Sequence, residues 1–151
     1  MGPRRASLLG GCLFALILPG CAKEERSGAP PACRQGEQAV REALSGAPDD
    51  VRLDGTPLSE CLADENDAAE LADVGAAFVN VAADLAAAAA ERPESDEATQ
   101  LGYLLGATRR GVREYPGVNA ELVRRLEQET LVVRRRSEAF RRGERAGLRG
   151  G

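Results

Sequence analysis

Histidine and tryptophan are absent from the 151 residues, methionine occurs once, and the aromatics are three phenylalanines and two tyrosines. Without histidine there is no imidazole base, no Ser-His-Asp triad, no HExxH zinc helix and no histidine-ligated haem. The single methionine is Met1, so nothing later in the chain offers a thioether to copper or haem. Few aromatics to stack on bases, and a net charge of −4, argue against a nucleic-acid partner. Gly102, Gly106 and Gly111 fit neither a phosphate loop nor a dinucleotide fingerprint. Lysine is nearly missing as well, with Lys23 its sole instance, so arginine carries almost all positive charge.

What is present begins with a leader. Arg4 and Arg5 precede an apolar run from Leu8 to Leu18, shorter than the roughly 20 residues that a helix needs to cross a hydrocarbon core. A basic start, a short apolar run and a small residue at the cut describe a secretory signal over 1–20. The triplet Leu18-Pro19-Gly20 before Cys21 resembles the lipobox of bacterial lipoproteins, with Pro19 as its departure from the common pattern. That resemblance implies cleavage between Gly20 and Cys21 and a thioether-linked diacylglycerol on Cys21, often with a further N-acyl chain such as palmitate. Two or more chains hold a protein firmly, since each buried methylene contributes about 0.8 kcal/mol and a single chain binds only marginally. The expected location is therefore the extracytoplasmic face of a cell membrane; an ordinary secreted or uncleaved chain is the alternative. Arg4-Arg5 also hints at twin-arginine export, against which Ser7 stands where a bulky apolar residue belongs.

Cysteines sort on this basis. Cys12 leaves with the signal, Cys21 carries lipid, and Cys33 and Cys61 remain to pair in an oxidising compartment. Closing that loop of about 29 residues stabilises by roughly 3–4 kcal/mol on the chain-entropy view. Two thiolates without histidine fall short of the four ligands of a structural zinc, so no metal is expected.

Beyond residue 20 the chain holds 18 basic and 24 acidic residues, unevenly spread. Residues 49–97 contain 14 acidic and 2 basic side chains, whereas 103–151 contain 6 acidic and 12 basic ones. The halves are expected to match each other within the fold.

Residues 21–32, with a Pro pair and no periodicity, read as a lipidated start and a flexible tether. Helical spacing then dominates over 33–142. A first helix is expected over 34–45, ending at Gly46. The turn-rich APDDVRLDGT follows, then a second helix capped at Thr56-Pro57, holding Cys61 early and running to Arg92. Its positions Leu71, Val74, Phe78, Val81, Leu85 and Ala88 step by three and four, a seam for a partner helix. A third helix over 96–114 turns Leu101, Leu104, Leu105, Thr108 and Val112 inward. Ala98, Gly102 and Gly106 form a small-residue ridge expected to pack on the alanine run of helix two. A fourth helix spans 118–142, with Leu122, Leu126, Thr130, Val133 and Phe140 inward, and 143–151 should fray. The fold class is all-α, an up-and-down four-helix bundle with one disulfide.

Three clusters bear on chemistry. The acidic run DENDAAELAD (64–73) puts Ala68 and Ala69 where a calcium loop wants an oxygen ligand and glycine, so it reads as a solvated helix face. Arg109, Arg110 and Arg113 are candidates for holding an anion or anionic headgroups, with salt bridging to helix two as the plainer account. Arg134-Arg135-Arg136 cannot share one helix face. The lipobox, the two-cysteine spacing, GYLLGATRRG and NAELVRRLE together resemble small lipoproteins of actinobacteria, a family with no established activity to carry over. The resemblance implies location and fold. The expected function is a non-enzymatic, membrane-anchored helical module that binds an envelope protein or component without a cofactor. The alternative is a lipoprotein that senses or binds a small ligand between helices. An enzyme using carboxylates alone stands third.

Overall fold

The computed structural model describes residues 28–63, 68–114 and 119–151. Among them lie five α-helices: α1 (Gly36–Leu44), α2 (Ala68–Glu91), α3 (Asp96–Glu114), α4 (Asn119–Arg134) and α5 (Glu138–Gly150). The all-α class is met, and Cys33 and Cys61 are bonded, their Cα atoms 5.5 Å apart. The signal, Gly20 and Cys21 lie outside the described residues, as does the 64–67 part of the acidic run.

The last four helices run up and down. Gly75 of α2 faces Leu122 of α4 near the start of each, so these two are parallel, with α3 antiparallel between them. Leu101, Leu104, Leu105 and Thr108 of α3 are fully buried or nearly so, because α2, α4, α5 and the 3-10 turn Leu58–Leu62 surround that helix. The seam expected on α2 packs inward through Val74, Phe78, Val81 and Leu85. By length and composition α2 is apolar enough to cross a membrane, yet these large side chains sit in the protein core.

Four boundaries depart from the sequence reading. The tether is shorter than 21–32: Ala29 and Ala32 are buried, Ala29 N–H donates to Glu70 at 2.7 Å, and a 3-10 turn forms over Pro31–Arg34. Thr56-Pro57 does not open a helix. Pro57 is extended (ψ 146°), and Thr56–Pro57 (β2) pairs antiparallel with Arg52–Leu53 (β1). Asp54 and Gly55, with φ of 45° and 85°, make the two-residue turn that Asp-Gly favours. Cys61 consequently sits in the 3-10 turn after β2.

The third and fourth departures are linked. Residues 118–142 are not one helix, and 143–151 is not a frayed tail. Helix α4 ends at Arg134, and Ser137 starts α5, its hydroxyl accepting from Phe140 N–H at 2.8 Å. The Glu94 carboxylate accepts from the N–H groups of Glu138 and Ala139 at 2.8 and 3.1 Å, placing negative charge at the positive end of the helix.

Helix α5 makes its largest contact with α3, and the two are parallel. Gly143 lies against the Thr99 carbonyl and Gly147 against that of Tyr103, while Gly102 and Gly106 meet the carbonyls of Phe140 and Glu144. A Cβ at any of these four would overlap backbone. The small-residue ridge of α3 therefore packs on a matching ridge of α5, not on the alanines of α2. Such backbone approach permits Cα–H···O contacts between helices.

Candidate functional site

Helices α2 and α4 diverge from their shared floor enough to leave an open groove of about 360 Å³. Leu71, Gly75 and Val79 line it from α2, Leu122 and Arg125 from α4. Ala68, Ala72, Ala76 and Val79 on this α2 wall begin a stripe at helical spacing that continues past the groove. Ala68, Ala72 and Ala76 are exposed, Val79 and Ala83 half-buried, Ala87 and Ala90 exposed. No charge interrupts this stripe, and its small side chains leave the α2 backbone approachable. On the opposite wall stand Asn119, Glu121, Leu122 and Arg125, all from the first two turns of α4. Further along α4, outside the groove lining, Val132 is 59% exposed.

Electrostatics at the groove mouth centre on Glu121. Its carboxylate accepts from Arg124 at 2.6 and 2.8 Å and from Arg125 at 3.0 Å. These hydrogen bonds, that of Arg124 first, hold the Glu121 pKa down to about 2. The rim is therefore a fixed cluster of two guanidinium groups and one carboxylate.

The three arginines singled out in the sequence do not converge. Arg109 donates to both Glu127 of α4 and Glu144 of α5, and its side chain is only 20% exposed. It ties three helices together at the outer side of α3. Arg110 pairs with Glu114 at 3.4 Å and donates to the Arg149 carbonyl. Arg113 is exposed and makes no ion pair among the described residues. The ion partners of Arg109 and Arg110 are on α3, α4 and α5, so the pairing expected between the basic half and helix two does not form among the described residues; Glu70 and Asp84 of α2 pair instead with Arg34 and Arg41, from the segment before it.

Among the described residues, no group of three His, Cys, Asp or Glu side chains is placed to hold a metal ion. The groove was missed in the sequence because Ala68 counted only against a calcium loop, and Ala72 and Ala76 carry no charge or bulk to mark a site. Their shared spacing with Gly75 and Val79 was the available signal. No protein family, curated protein or solved structure matches this chain.

Proposed function

We propose that this protein is a membrane-anchored extracytoplasmic lipoprotein whose helical domain binds a partner protein, without catalysis, through the α2–α4 groove. The lipobox-like LPGC sequence ending at Cys21 supports the anchor. The uncharged small-residue wall that α2 turns to the groove is the observation that carries the binding role. Small side chains at one-turn intervals let a visiting helix lie close, in the manner of helix-in-groove recognition. Arg125 and Glu121 at the mouth supply orientation through charge.

Crosslinking of the anchored protein in cells, followed by identification of what is attached, tests this role. One protein is expected to be captured reproducibly, to be lost in Ala76→Glu, which puts a charge on the exposed groove wall, and to be retained when residues 22–27 are exchanged for a Gly-Ser sequence of the same length. Capture unaffected by Ala76→Glu, or no protein captured with several crosslinkers, contradicts it.

A second reading takes the same groove as a small-ligand site, because about 360 Å³ lies within the usual range for ligand pockets. A ligand held there raises the melting temperature by mass action, and Ala76→Glu removes the shift.

A further inference from the structure

Spare positive charge in this fold is concentrated on α5. Arg142, Arg145 and Arg149 are exposed, and their steps of three and four residues put them on one face, opposite buried Ala139, Phe140, Gly143, Ala146 and Gly147. Among the described residues none of the three lies within ion-pair distance of a carboxylate. The two acidic residues of α5 are already engaged: Glu138 by Arg141, and Glu144 by Arg109, with Arg134 at 3.9 Å. Arg135 and Arg136, exposed in the turn before α5, are likewise without ion pairs among the described residues.

This concentration is not general. Arg34, Arg41, Arg52 and Arg92, on the other side of the sequence, each have a carboxylate partner. One exposed apolar side chain lies toward the other flank of α5, that of Glu144. Leu131 shares the α4 face of Glu127 and Arg134, the two α4 residues that reach Arg109 and Glu144 beside α5. It is 54% exposed at that seam. The result is a convex row of guanidinium groups about 10 Å long on α5. It has no concavity for a small anion and no aromatic among its arginines for a base to stack upon.

From this arrangement we infer that the outer face of α5, through Arg142, Arg145 and Arg149, docks on anionic phospholipid headgroups. A guanidinium offers paired N–H donors to phosphate oxygens. Each arginine near an anionic leaflet raises partition about fivefold, so three give about a hundredfold. The contact does not require an acyl chain on Cys21, but it is compatible with one. From Cys21 to Gly28 the chain can span at most about 25 Å, comparable to the width of two packed helices. An anchored domain can thus lie with α5 on the membrane and the groove between α2 and α4 open to a partner.

The test uses the full chain carrying Cys21→Ser, so that no acyl group contributes, with vesicles of neutral phosphatidylcholine and of phosphatidylcholine mixed with phosphatidylglycerol. Arg4 and Arg5 of the leader also favour anionic vesicles, so the readout is the change between variants in the ratio of binding to anionic over neutral vesicles. Wild-type sequence elsewhere is expected to favour anionic vesicles by about a hundredfold at low salt. The triple variant Arg142→Gln, Arg145→Gln, Arg149→Gln is expected to lose most of that preference, while the matching Lys triple keeps it. Because these side chains are exposed and without ion pairs, circular dichroism should be unchanged in both. A ratio near one at low salt, or a Gln triple that retains the preference, overturns the inference. So does release by inorganic phosphate at constant ionic strength, which would mark a phosphate site in place of a surface. Absence of lipid on Cys21 in cells would remove the anchor and leave this result standing.

Discussion

Gly143 lies so close to the Thr99 carbonyl that a single added methyl has nowhere to go, and Gly147 repeats the arrangement one turn later at Tyr103. Both obstacles are backbone, so relief needs the helices to separate. Gly143→Ala and Gly147→Ala should each destabilise by about 2–3 kcal/mol, read as a lower urea midpoint. Gly75 makes the contrast. A Cβ there would meet Leu122 at 3.7 Å, an ordinary contact, and its φ is not in the left-handed region. Gly75→Ala should stabilise α2 by about 0.5–1 kcal/mol in the same experiment. Ionisation is also legible at this scale. Burial pushes the Tyr103 phenol above its usual value of 10. The folded state therefore favours the protonated phenol, so this contribution is complete below pH 10 and lost as pH rises through the folded value. Glu121 has the opposite sign. Its depressed pKa makes a contribution that is present above pH 4.5 and lost as pH falls toward 2. A titration of the Glu121 carboxyl followed by NMR should have its midpoint near 2 and move upward in Arg124→Ala.

At the scale of elements, α5 decides the architecture. Its apolar face covers the glycine ridge of α3, and its start is fixed by Ser137 and Glu94. A chain ending at Arg136 should lose its cooperative thermal transition, because Gly102, Gly106 and Phe140's neighbours on α3 would face water. Reducing the Cys33–Cys61 bond should lower stability by about 3–4 kcal/mol on the loop-entropy view, seen as a shift in urea midpoint with reductant. The helices with a conventional apolar seam were readable from the sequence: α3 has the expected bounds, and Val74, Phe78, Val81 and Leu85 point inward on α2 as their spacing requires. Helix α5 was not. Glycines at 143, 147, 150 and 151 signal an end by propensity, and only contact with another glycine ridge makes them an asset. The β1–β2 turn was visible as Asp54-Gly55, but Thr56-Pro57 also fitted a helix start, and local signals alone do not separate the two. The groove belongs to the same class of omission, since alanine carries no mark of whether a partner covers it.

The whole molecule has an acidic flank and a basic one. Helix α2 carries Glu70, Asp73, Asp84 and Glu91 and no cation, whereas the outer face of α5 carries Arg142, Arg145 and Arg149. An acyl anchor at one end, a basic face turned to a membrane and an open groove on another side would fix the orientation in which a partner meets the protein. The anchor in that scheme depends on Cys21. Mass spectrometry of the protein extracted from membranes of the cells that make it is the most direct test. The mature chain is expected to begin at Cys21, without residues 1–20, and to carry a diacylglycerol adduct on that cysteine. An unmodified soluble product with a different first residue would contradict the account.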